Sequence, residues 1–154
     1  GYSEIANRVH PLGLEFGEST QIEINGISVE AYYVSHGSPQ VPNLGFLFTL
    51  GGITFFHPGD LVSADDAEGA EGMTVEDFQT FGLPEKDIDI SFVPWFFFTE
   101  EDKNIFFLEG FPADMYVPMH VYYHNPSTFD SIEAEFTDLI IFREALTWQL
   151  LDVE

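Results

Sequence analysis

Cysteine is absent from this 154-residue chain, which rules out a disulfide framework and any thiolate metal site. Basic residues are nearly absent: Arg8, Lys86, Lys103 and Arg143 stand against 27 acids, for a formal net charge of −23. Such a surface repels the nucleic-acid backbone and anionic membranes, so neither is expected as a partner. No apolar run approaches the ~18 residues of a membrane span. The opening GYSEIANRV lacks the basic-then-apolar pattern of a secretory signal, and a cytoplasmic location is expected. Asn125-Pro126-Ser127 carries the Pro that excludes N-glycosylation. There is no Gly-x-Ser-x-Gly elbow and no Gly-rich loop followed by Lys, which argues against serine-nucleophile and nucleotide-phosphate chemistry. The acids crowd at 60–77 without the alternating ligands of a calcium loop, so a solvated, Gly-rich loop is expected over 61–73.

What is present is a core. Hydrophobic residues make up 45% of the chain and 17 of them are Phe, which fits one globular domain over 1–154 and not an acidic disordered tail. From about 8 to 60 the hydrophobic period is two. QIEINGISVEAYYVSH reads as two strands turning at Asn25-Gly26, and NLGFLFTLGGITFFH as two more (45–50 and 53–57) turning at Gly51-Gly52. Together they form a β-meander. Over 74–154 helices and strands alternate. Thr74 caps a helix over TVEDFQTF with Asp77 in the capping-box position. DIDISFVPW is a buried strand stopped by Pro94, and TEEDKNIFFLEGF a helix capped by Thr99. MYVPMHV is a short strand ending at a His, and PSTFDSIEAEF a helix starting after Asn125. LIIF and LTWQLL are expected as terminal strands or a continued helix. The sum is an α+β chain, a mixed sheet with helices on one face. WFFF at 95–98 is expected in the core or at an interface.

Histidines mark the strand ends: VSHG at 34–37, HPGD at 57–60 and VPMHV at 117–121. Each delivers a metal-competent side chain where a buried strand meets a loop. Imidazole with carboxylate suits Zn, Mn or Fe. Taken singly, His36 is a strand-end histidine bonded to backbone, Asp60 a turn residue after Pro-Gly, and His120 a half-buried strand histidine. His10 and His124 read as structural or surface residues. A small β-barrel oxygenase would need the close His-x-His or His-x-Asp pair that is missing here.

Five pieces in order, GISVEAYYVSHG, LGFLFTL, ITFFHPGD, DIDISFVP and YVPMH, resemble the second half of the metallo-β-lactamase fold over residues 8 to 121. The similarity is greatest to the branch of tRNA 3′-end-processing nucleases and sugar-phosphate lactonases. It implies half of an αββα sandwich. It also implies that His36 ligates the first metal, Asp60 bridges two metals, His120 ligates the second, and His57 hydrogen-bonds near the site. Asp60 and His120 would carry the catalytic work, with Zn, in two ions, as cofactor and Mn or Fe as substitutes. A water so activated would attack a small ester, lactone or phosphodiester substrate. The family's H-x-H-x-D-H motif is missing, and no H-x-H occurs anywhere in the chain. The resemblance therefore implies a complementary N-terminal half, from the same precursor or as a separate chain, or else a homo-oligomer covering the open sheet face. The alternative is a non-catalytic interaction module derived from the same fold.

Overall fold

The computed structural model describes residues 12–37, 43–65, 72–99, 101–121 and 127–142. Six strands form one sheet in the order β1-β2-β3-β4-β5-β6. They are β1 (Ser19–Ile24), β2 (Ile27–Tyr33), β3 (Leu44–Leu50), β4 (Ile53–His57), β5 (Ile90–Pro94) and β6 (Met115–Met119). The first four pair antiparallel, as a meander of short turns requires. Asn25 and Gly26 both have positive φ, 53° and 82°, which is what a two-residue hairpin turn asks of its central residues. Strands β4, β5 and β6 run parallel, because helical crossovers separate them. The sheet is therefore mixed, with the helices in the second half of the chain, as expected.

Those helices are α1 (Val75–Thr80), α2 (Glu101–Gly110) and α3 (Ser127–Glu135), with tight helical turns at Leu83–Glu85 and Trp95–Phe98. The capping box at α1 is present: Thr74 accepts from the Asp77 N–H, and Asp77 accepts from the Thr74 N–H at 2.7 Å. Whether Thr99 caps α2 involves residue 100, which lies outside the described residues. The Thr99 hydroxyl donates to the Phe96 carbonyl at 2.9 Å, closing the WFFF turn. Leu139, in the stretch expected as a terminal strand or continued helix, makes a single parallel bridge to Tyr116 at the outer edge of β6. LTWQLL, the helix start just after Asn125, His10 and His124 lie outside the described residues.

Strand alternation sends Tyr32, Leu47, Phe56, Val93 and Tyr116 to one face, where Phe78, Leu83, Phe97, Phe98, Phe106, Phe107, Phe111 and Ile132 pack on them. Phe97 and Phe98 of the WFFF turn are thus core residues. Aromatic rings run through this layer edge-on and tilted, with Phe56–Phe111 at 5.1 Å, Phe78–Phe111 at 5.0 Å and Phe107–Tyr116 at 4.9 Å between centroids. Such pairs add about 0.5–1.5 kcal/mol each beyond their area. At the margin, Lys86 grips both oxygens of Glu30 at 2.9 and 3.0 Å, and Tyr32 donates to the same carboxylate at 2.6 Å. Burial alone would raise the Glu30 carboxyl, but the Tyr32 and Lys86 hydrogen bonds and the Lys86 charge outweigh it and hold the group below its ordinary value. Burial and the Glu30 carboxylate push the Tyr32 hydroxyl far upward.

The opposite face is also apolar, with a smaller buried cluster. Ile90, Val117 and Ile140 form that cluster, while Phe46, Phe48, Ile53, Phe55, Phe92 and Met115 are only partly buried. The Phe48 and Phe55 rings stack there at 5.4 Å, 18° from parallel. Among the described residues no helix lies on this face. The six-stranded mixed sheet is thus clad by helices on one side only among the described residues.

Candidate metal centre at one edge of the sheet

Strand direction assembles the site. Strand β2 is antiparallel to β3, which is antiparallel to β4, and β4 is parallel to β5 and β6. The carboxyl ends of β2, β4 and β6 therefore emerge at one edge of the sheet. His36 follows β2, Asp60 follows β4, and His120 directly follows β6. Residues spread over 85 positions (36 to 120) meet because this topology leaves them no other edge.

The Asp60 carboxylate stands between the two imidazoles. Its Oδ2 lies 2.7 Å from His36 Nε2, and its Oδ1 lies 3.5 Å from His120 Nε2. Each carboxylate oxygen thus faces a different histidine. All three side chains are half-exposed, at 35% for His36, 53% for Asp60 and 46% for His120, so an incoming ion or substrate can reach them. His36 and Asp60 touch directly, and among the described residues no group of three or more His, Cys, Asp or Glu is spaced to enclose an ion. The donor set is nonetheless all imidazole nitrogen and carboxylate oxygen, the chemistry Zn accepts. It fits a metal centre in kind and falls short of one in number.

Backbone geometry aims each group. His120 has φ +59°, a left-handed conformation uncommon for a residue with a Cβ. Gly59 turns at φ +68°, where a Cβ would collide with the Asn43 side-chain oxygen and lie 2.7 Å from the Leu44 carbonyl. Its N–H donates to His57 Nδ1 at 3.0 Å. A neutral His57 consequently carries its proton on Nε2 and offers a donor instead of a ligand nitrogen. Burial, with His120 nearby, lowers the His57 imidazole from its ordinary value and so favours its neutral form. Its ring rests on Phe92, 5.1 Å between centroids. On the His36 side, the Ser35 carbonyl accepts from the Val62 N–H at 3.1 Å, which ties the segments carrying His36 and Asp60 together just beyond each strand.

The four residues singled out from sequence, His36, His57, Asp60 and His120, are thus neighbours. Asn43 was not singled out, yet it holds the Asp60 turn from both sides. Its Nδ2 donates to the Pro58 carbonyl at 3.1 Å and its Oδ1 accepts from the Asp60 N–H at 3.0 Å.

No family model matches the chain, and no curated protein does. Among solved structures, the chain is similar to a Thermotoga maritima protein assigned to the metallo-β-lactamase superfamily as a Zn-dependent hydrolase. The identity is 20%, the TM-score 0.46, and the match covers 67% of this chain. It covers 46% of the other, so the chain spans about half that protein's length. At that identity and score, the chemistry must be argued from the chain's own residues.

Proposed function

We propose that this chain is the C-terminal half of a metallo-β-lactamase-fold hydrolase, with His36, Asp60 and His120 as metal ligands. The observation that carries the reading is the Asp60 carboxylate with one imidazole on each oxygen, at the edge where β2, β4 and β6 end. Zn ions bound there would supply Lewis acidity toward a carbonyl or phosphoryl oxygen and would acidify water for attack on it. Asp60 would contribute one oxygen to each side of the centre, His36 and His120 one nitrogen each. His57, neutral and protonated on Nε2, would donate a hydrogen bond to a developing oxyanion without competing for metal. The acidic surface favours a small ester, lactone or phosphodiester over a nucleic acid.

Three ligands do not complete a two-ion centre. The partner in this reading is a complementary N-terminal half bearing further ligands, seated on the partly exposed face around Phe48, Phe55 and Phe92. An apolar face of that extent in water is the mark of an interface. The same face supports the second reading, an interaction module without catalysis. Asp60→Ala separates the two. In the chain joined to its complementary half, hydrolysis of a chromogenic phosphodiester falls to background under the first reading, with the assembly intact. Unchanged hydrolysis would remove Asp60 from the chemistry. An assembly that forms without Zn and without hydrolysis would favour the module.

A further inference from the structure

The Asp60 side chain is half-exposed, and among the described residues its contacts are to the two imidazoles. Packing therefore does not orient it; the turn beneath it does. That turn presents two successive backbone N–H groups, and each finds a side-chain acceptor: Gly59 N–H on His57 Nδ1, and Asp60 N–H on Asn43 Oδ1. Two anchored amides in a row fix the peptide plane between them, and with it the direction in which the Asp60 Cβ leaves the chain. Asn43 does more than accept. Its Nδ2 donates to the Pro58 carbonyl, so one planar carboxamide spans the turn from Pro58 to Asp60. The space a Cβ on Gly59 would need is filled by the same Asn43 oxygen, so the turn is closed onto that group. Finally, the Asn43 carbonyl accepts from the Val34 N–H at 3.1 Å, two residues before His36.

We propose that Asn43 is a positioning residue for the metal centre, setting the Asp60 carboxylate against His36 through the Pro58–Asp60 turn and the end of β2. Only a carboxamide provides a donor and an acceptor at that spacing on one short side chain. Aspartate would keep the acceptor, lose the donor and place a second negative charge beside Asp60. Alanine would lose both bonds and leave a gap under Gly59. The inference takes Asp60 as a ligand from the functional reading, but the positioning itself is a property of the metal-free chain and can be measured there.

The test uses the full 154-residue chain, Asn43→Ala and Asn43→Asp, with two readouts. The first is the imidazole ¹⁵N spectrum of the metal-free proteins at neutral pH. His36 in the wild type should report Nε2–H donated to the carboxylate; in Asn43→Ala its resonances should move to those of a free imidazole while amides remote from the turn stay in place. The second is a Co(II) titration followed by its visible absorption, in which Asn43→Ala should bind 10–100-fold more weakly, the size typical of losing a residue that orients a metal ligand, and Asn43→Asp should fall in between. His36 resonances and Co(II) affinity both unchanged in Asn43→Ala would overturn the proposal. If the wild type binds no Co(II), the metal reading fails, and the His36 resonances alone decide whether Asn43 positions Asp60. If Asn43→Ala does not fold, Asn43→Asp decides on the same two signals: wild-type values overturn the proposal and intermediate ones sustain it. A side chain with a general structural role would shift amides throughout the sheet and lower Tm, without singling out His36.

Discussion

Replacing His120 by glycine should leave the protein more stable than replacing it by alanine. Ordinarily the order is the reverse, because glycine gives up about 0.5–1 kcal/mol of extra backbone entropy on folding. At φ +59°, however, any residue with a Cβ is strained by roughly 1–2 kcal/mol. Alanine keeps that strain and glycine relieves it, so the difference should favour glycine by about 0.5–1 kcal/mol. The imidazole itself is 46% exposed and lies 3.5 Å from Asp60, so its own contribution is that of an exposed pair, about 0.2–1 kcal/mol. His120→Gly should therefore sit within about 1 kcal/mol of the wild type. Urea unfolding resolves this, since at a slope of about 2 kcal/mol/M the two variants should differ by roughly 0.25–0.5 M in midpoint with equal slopes. Both should lose Zn affinity. Alanine equal to or above glycine would refute that account of the backbone.

Glu30→Gln tests the Lys86–Glu30–Tyr32 cluster. Because the folded carboxyl titrates below its ordinary value, its stabilisation is present above the unfolded pKa of 4.5 and is lost as pH falls through the folded value. The wild type should thus exceed Glu30→Gln in urea midpoint at pH 7, with the gap closing on acidification below 4.5; a gap that widens in acid contradicts the cluster. Changing both Phe48 and Phe55 to Ser should cut fluorescent dye binding and self-association while destabilising the isolated chain less than Phe56→Ala, a fully buried ring whose removal should cost about 3–5 kcal/mol. Equal destabilisation would mean that the open face is core already. Ser91 is fully buried and its hydroxyl has no hydrogen-bond partner among the described residues, so Ser91→Ala should raise Tm, the cost of an unmet buried hydroxyl being about 1–3 kcal/mol. A lower Tm would show that the hydroxyl is satisfied.

Local chemistry was readable from the sequence where one turn or one strand end decides it. Asn25-Gly26 turns because those two residue types tolerate positive φ, and Thr74 caps because Asp77 stands three residues on. His36, Asp60 and His120 could be picked out as strand-end groups. Their convergence on one carboxylate depended on β2, β4 and β6 pointing the same way, which no local pattern encodes. Asn43 was invisible for a related reason. It acts on backbone atoms of residues 58 and 60, 15 and 17 positions away, so neither its neighbours nor any hydrophobic period marks it out.

The central claim is that His36, Asp60 and His120 hold metal, and anomalous X-ray diffraction at the zinc edge, from crystals of the chain grown with Zn, tests it most directly. The account calls for an anomalous peak against the Asp60 carboxylate with His36 Nε2 or His120 Nε2 as a second ligand, and for its disappearance in Asp60→Ala. Zinc found only on the scattered surface acids, with His36 still in direct contact with Asp60, would contradict it.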